Sequence, residues 1–271
     1  MTLTELCEKI ELPEELAQKA FDFAKDFDFS LFEETISNLT KPELSENAYK
    51  TLSEALGEDP FGAKILACYL KAALITYDEY KRLGIDEQIY TDTMKFFTRF
   101  SAEWLERKDI LGFFSADWSY RHLNTTLIRV GTLEYERVVR NGIKCVSVHI
   151  PSDADLSKEA LDRSFASAKQ LLKTYFPDYA DAPIYCESWL LYKGLEEFLD
   201  ASSKIMQFQA RFDIQRTNGV SKNALIYIFH RMDCSDYESL PENTSLQRKV
   251  KAHLLSGGGI GSGYGVLKEN A

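Results

Sequence analysis

The sequence predicts an α+β protein: an all-helical N-terminal half packed on a mixed β-sheet C-terminal half that contains a βαβ crossover. Three observations carry this. First, KCVSVHIP (144–151) alternates Cys145, Ser147 and His149 against Val146, Val148 and Ile150, the period of a strand, and Pro151 stops it. Second, from Leu156 the period changes, and Leu161, Phe165, Ala168 and Leu172 line one face of a helix ending near Phe176-Pro177. Third, IYCESWLLY (184–192) is an apolar and aromatic run of strand length between Pro183 and Gly194. Strand, crossover helix and strand make a right-handed unit whose two strands are parallel.

Upstream, the chain reads as helices. PEELAQKAFDFAKDF (13–27) has a proline at the helix start and puts Leu16, Ala20, Phe23 and Phe27 on one face. Residues 45–56 form a helix closed by Gly57. Residues 61–84 form a longer one, with Ile65, Leu66, Tyr69, Leu70 and Ala73 as its buried stripe. A further helix runs from Asp86, with Ile89, Phe96, Phe97, Phe100 and Trp104 at helical intervals. Aromatic stripes of this kind read as core. Helical periodicity fades over 117–124, which sets domains at 1–120 and 121–271.

From Thr125 the pattern is β. TTLIRVGTLEYERVV (125–139) and KCVSVHI (144–150) flank Arg140-Asn141-Gly142-Ile143, and Asn-Gly between strand-like runs signals a hairpin. Beyond the βαβ unit, a short helix is expected at 195–199. SKIMQFQARFDI (203–214) alternates Met206, Phe208, Ala210 and Phe212 with polar residues and is read as a strand. It pairs with a second strand, ALIYIFHR (224–231), across Thr217-Asn218-Gly219. A basic helix spans 245–255. SGGGIGSGYG (256–265) then holds six of the 14 glycines and reads as a flexible loop or tail. A backbone nest for an anion is the alternative there, although neither a P-loop nor a Rossmann fingerprint fits.

Composition narrows the function. The 271 residues suit one large or two modest domains, with 45% hydrophobic and 27% charged residues. No run reaches the ~20 apolar residues of a membrane span, and the start lacks the features of a secretory signal, so a cytoplasmic protein is expected. Five scattered cysteines without a CxxC pair argue against a disulfide framework and a zinc site. Residues 1–120 carry a net charge of −11 and the rest +1. Nucleic acid and acidic membranes are thereby disfavoured as partners, while a small anionic ligand fits the C-terminal half.

The order β, β, α, β, short α, β, β resembles the central and C-terminal elements of the GNAT superfamily of acyl-CoA-dependent N-acyltransferases. The text HIPSDADLSKEALDRSFASAKQLL, YCESWLL and IMQFQARF looks like a bacterial group, the GNAT-like acyltransferase-domain proteins with a helical N-terminal domain. The resemblance covers roughly 120–271 and implies a GNAT-like mixed sheet. It also implies transfer of an acyl group, from acetyl-CoA or another acyl-CoA, to a small-molecule amine. Val146–His149 and Tyr185–Leu190 would be strands that splay apart to admit the thioester, with Val146, Val148, Ser152 and Ser188 along the acyl-CoA. Glu136, Glu187, Trp189 and Arg211 would lie around the acceptor, and no metal is implied.

The chemistry needs a base for the amine proton and donors for the oxyanion. Histidine, with an unperturbed pKa of about 6.5, makes His149 the candidate base; the other reading is a strand-end hydrogen bond. Glu134, on one face with Thr132 and Glu136, could attract the ammonium or face water. Cys186 is read as a structural thiol rather than a nucleophile. One departure from the family pattern stands out. The basic, glycine-containing turn that precedes the crossover helix in GNAT enzymes is here Pro151-Ser152-Asp153-Ala154-Asp155-Leu156. Its two acids oppose a pyrophosphate, which keeps open a non-catalytic small-molecule-binding module. A third reading is an interaction protein whose acidic half docks a basic partner.

Overall fold

The computed structural model describes residues 1–269 and divides into two units, Met1–Val130 and a second beginning at Gly131. The first contains α1 (Leu3–Lys9), α2 (Glu14–Asp26), α3 (Glu33–Asn38), α4 (Ser45–Leu56), α5 (Ala63–Leu83), α6 (Glu87–Met94), α7 (Phe96–Lys108) and α8 (Ala116–Leu123). A short strand, β1 (Leu127–Val130), closes it. The expected stripe of α5 is buried in full: Ile65, Leu66, Tyr69, Leu70 and Ala73. Two of its hydroxyls reach partners outside the helix. Tyr69 Oη donates to the Ala116 carbonyl at 2.7 Å and Thr76 Oγ1 to that of Leu123 at 2.6 Å. These bonds tie α8 to α5, so the stretch expected to lose helical order is a helix. The single helix expected from Asp86 is two, α6 and α7, interrupted at Lys95.

The second unit is built on β2 (Leu133–Arg140), β3 (Ile143–His149), β4 (Ile184–Ser188), β5 (Phe212–Asn218) and β6 (Ser262–Leu267). They hydrogen-bond in the order β2-β3-β4-β6-β5. β2 and β3 form the expected hairpin, with Arg140 opposite Ile143. Asn141 and Gly142 take φ of 51° and 77°, the left-handed pair that a two-residue hairpin loop demands. The crossover helix α9 (Lys158–Tyr175) then returns the chain to β4, which runs parallel to β3. Leu161, Phe165, Ala168 and Leu172 are buried, as their spacing predicted. On the sheet, Tyr135 bonds its hydroxyl to Ser164 Oγ at 3.0 Å, and Phe165 packs edge-on to both Tyr135 and Phe212. Odd-numbered β2 residues therefore face α9, and Glu134 and Glu136 face the other way.

Three expectations for the last third are corrected. Residues 203–214 are not one strand: α10 (Lys204–Gln209) precedes β5, capped by Ser203, whose hydroxyl accepts from Met206 N–H. Residues 224–231 are not its antiparallel partner: 224–229 belong to α11 (Lys222–Phe229), capped by Ser221. Short apolar runs bury equally well as either element, and here serine caps decide for helix. The partner of β5 is the glycine-rich stretch, which is no frayed tail. Ser262–Leu267 forms β6, inserted antiparallel between β4 and β5 after α12 (Ser245–Leu255). At Gly263 a Cβ would lie 2.1 Å from the Leu191 carbonyl oxygen, so this strand reaches its place only without a side chain there. A second apolar cluster unites Leu195, Ile228, Phe229, Leu240, Val250 and Leu254 beneath these helices.

Candidate active site

β3 and β4 pair at Val146/Ile184, Ser147/Tyr185 and Val148/Cys186, and no further. β3 continues to His149 and β4 to Ser188, and on its other edge β4 stays paired with β6 through Glu187/Tyr264 and Ser188/Gly263. The two parallel strands therefore part beyond Val148 and Cys186. β4 is also shorter than expected. Trp189–Leu191 is a 3-10 turn, because the Ser188 side chain accepts from Leu190 N–H at 3.2 Å and turns the chain. From α10, the buried Gln209 donates through Nε2 to the carbonyls of Leu190 at 3.2 Å and Tyr192 at 3.0 Å. The turn is thus clamped by Gln209, with Gly263 in close contact at Leu191.

At the parting point His149 Nε2 lies 2.8 Å from Glu136 Oε2, with the two side chains 29% and 15% exposed. Glu134 stands directly opposite His149 in the β2–β3 ladder and is 2% exposed. The reading in which Glu134 faces water is therefore corrected: it is a buried carboxylate. Ser147, also buried, lies opposite Glu136 on the same sheet face. Two carboxylates and one imidazole are gathered here, each within two ladder positions of the others. Such a group can accept a proton at the imidazole while the carboxylate across the ladder fixes the ring.

The remaining expected residues distribute as follows. Val146 and Val148 are buried and, by alternation, face α9, so only their backbone is available to a ligand. Ser188 is used as the cap of the 3-10 turn. Ser152 lies exposed in the turn before α9. Trp189 leaves the strand and packs, with Tyr192, Ile205 and Met206, on the second apolar cluster. Arg211 is committed to the start of α9, donating to the Lys158 carbonyl at 3.3 Å and pairing with Asp162 at 2.7 Å. Burial drives the Cys186 thiol well above the usual range, which suits a structural cysteine.

The acidic turn is less hostile to an anion than its sequence implied. Asp155 accepts from Ser157 N–H and Oγ and pairs with Lys204 Nζ of α10 at 2.9 Å. Bonds from Ser157 and Lys204 hold its carboxyl down at about 2. Lys204 brings a positive charge to this turn from 49 residues away. Among the described residues no cluster of three or more His, Cys, Asp or Glu is arranged for a metal ion.

Sequence reasoning missed Gln209 and the Glu136–His149 contact. The second was accessible. With an Asn-Gly loop between Arg140 and Ile143, six steps along each strand put Glu134 opposite His149 and Glu136 one diagonal away. Gln209 gave no signal, since it follows from where α10 docks.

Residues 93–267 match the family model of the GNAT-like C-terminal domain, and residues 1–125 that of the N-acyltransferase N-terminal domain. Among similar solved structures is an acyltransferase in complex with decanoyl-CoA and teicoplanin. It superposes with a TM-score of 0.82 at 21% identity, over 98% of this chain and 87% of that one. An acyltransferase in complex with decanoyl-CoA gives 0.79 at 18%, over 97% and 86%. Another, in complex with CoA and 10C-teicoplanin, gives 0.71 at 18%, over 99% of both chains. At these identities the likeness is one of fold. Comparison with curated proteins gives no match. No helix among the described residues is long and apolar enough to cross a membrane.

Proposed function

We propose that this chain, which belongs to the family of the GNAT-like C-terminal domain, moves an acyl group from an acyl-CoA to the amine of a small acceptor. The observation that carries this is the parting of β3 and β4 immediately before the His149–Glu136 pair. A thioester inserted between the strand ends would meet backbone N–H groups no longer spent on the ladder, the donors an oxyanion requires. His149 takes the proton as the amine nitrogen attacks the thioester carbonyl. The C–S bond of the tetrahedral intermediate then breaks, and the CoA thiolate leaves. Glu136 holds the imidazole, and Glu134 supplies a second carboxylate opposite it that favours an incoming ammonium.

Trp189, next after the end of β4, packs on the apolar cluster that Ile205 and Met206 also cover, and such an apolar flank suits an acyl chain longer than acetyl. The decanoyl-CoA carried by two of the similar structures agrees with that choice. The non-catalytic reading rested on the acidic turn, and the Lys204–Asp155 pair removes part of that objection.

The test is acyl-CoA binding followed by turnover. Decanoyl-CoA at a hundredfold excess over Kd should stabilise the protein by about 2.7 kcal/mol, seen as a rise in melting temperature. Free thiol should then appear when amines are added. No melting shift with acetyl-, octanoyl- or decanoyl-CoA would return the binding-module reading to first place.

A further inference from the structure

On the sheet face that carries His149 lies a second cluster of charge which the acyl-transfer chemistry leaves unused. Tyr185 of β4 and Tyr264 of β6 pack ring to ring, their centroids 5.3 Å apart. The Arg140 guanidinium lies over the Tyr185 ring at 4.2 Å, and that of Arg216 over Tyr264 at 4.7 Å. Glu187 sits between the two arginines, 3.8 Å from Arg140 Nη2 and 3.7 Å from Arg216 Nη2. Alternation and register put the cluster on the same face as the candidate base. Ser147 is matched to Tyr185, so His149 and Glu187, each two residues on, point to the same side.

Three features separate this cluster from an ordinary surface ion pair. Both Glu187 contacts exceed hydrogen-bond length, so the carboxylate balances charge without using an N–H of either guanidinium. Each guanidinium is oriented on an aromatic ring, which lowers the entropy lost when it binds a ligand. Two arginines against one glutamate leave a net positive charge, in a chain whose net charge is −10. All three charged side chains remain open to solvent, at 47%, 43% and 63% exposure for Arg140, Glu187 and Arg216. Forked guanidinium donors set side by side match a planar carboxylate or a phosphate.

We infer that Arg140 and Arg216 bind the acidic group, a carboxylate or phosphate, of the acceptor whose amine is acylated at His149. Glu187 moderates their charge, so that an acceptor is held and its product is released. This specificity assignment rests on the acyl-transfer reading above, but the anion site itself can be tested without it.

The experiment titrates the full chain with inorganic phosphate and with N-acetyl-β-alanine, an amine-free carboxylate, followed by NMR or calorimetry. Saturable binding is expected in the wild type, weakened about tenfold or more in Arg140→Gln or Arg216→Gln. Glu187→Gln should tighten it. A cluster that only supports the fold predicts the opposite sign for Glu187→Gln, because losing the carboxylate would loosen both arginines. Arg140→Lys keeps the charge but not the fork and should fall between wild type and Arg140→Gln, which preserves the test if the glutamine variant fails to fold. A preference between the two probes separates carboxylate from phosphate acceptors. No saturable binding to the wild type, equal binding by the arginine variants, or weaker binding by Glu187→Gln overturns the proposal. In turnover, β-alanine and propylamine offer the same amine with and without a carboxylate. Arg140→Gln should raise KM for β-alanine alone and leave kcat nearly unchanged. If no amine is acylated, the acyl-transfer reading fails while the phosphate titration still decides the anion site.

Discussion

His149 and Glu136 meet across the β2–β3 hairpin, Nε2 to Oε2 at 2.8 Å, at the place where β3 loses its parallel partner. A histidine bonded to a carboxylate there acts on whatever enters between the strands. His149→Ala should lower kcat by about 10²–10⁴-fold with little change in melting temperature. Glu136→Gln keeps the shape but loses the charge, and should lower kcat by less. If His149→Ala unfolds the chain, or turnover persists, the histidine is a strand-end hydrogen bond and the base lies elsewhere.

Gln209 acts at a distance from the chemistry, through the turn that ends β4. Gln209→Leu leaves the Leu190 and Tyr192 carbonyls without their donor, a loss of about 1–3 kcal/mol for a buried group. The same change should raise KM for acyl-CoA, since the turn sets where β4 departs from β3. Denaturant melts and KM values measured side by side check both parts, and an unchanged KM would reduce Gln209 to a structural bond.

Gly263 tests whether β6 belongs inside the sheet. A methyl group there would press on the Leu191 carbonyl oxygen at 2.1 Å, whereas at Gly219 a Cβ would meet nothing within 4 Å. Gly263→Ala should therefore destabilise by about 1–3 kcal/mol or more, through forced backbone shifts. Gly219→Ala should be nearly neutral. Equal melting temperatures for the two variants would argue that β6 is not held as described.

Asp155 gives a dependence on pH. Its carboxyl titrates at about 2 in the folded chain, below its ordinary 3.8, so its contribution to stability is complete above 3.8 and lost as the pH falls through about 2. The group is exposed, so the contribution is small. The melting-temperature difference between wild type and Asp155→Ala should be present at pH 6, shrink below pH 4 and vanish near pH 2.

The sequence by itself determined the hairpin, the crossover and the parallel pairing of β3 with β4. Asn141-Gly142 permits one tight loop, and a two-residue loop fixes which residues of β2 and β3 face each other. The buried stripes of α5 and α9 were equally plain, because a helix long enough to repeat its period several times leaves little ambiguity. Runs of eight to twelve residues did not have that protection. Met206, Phe208 and Phe212 alternate like a strand, yet Ser203 caps a helix over the first half of that run, and residues 224–231 went the same way. Only the tertiary structure decided that Ser262–Leu267 is an inner strand. Glycine reads locally as freedom, whereas here it meets a requirement imposed from outside the segment: β6 must pass within contact of Leu191. The site followed the same division. His149 was visible as a residue type at a strand end, but Gln209, Lys204 and the arginines over Tyr185 and Tyr264 reached their places through long-range docking. No local pattern encodes which distant element will supply a charge or a hydrogen bond, so those residues became functional candidates only once the chain was folded.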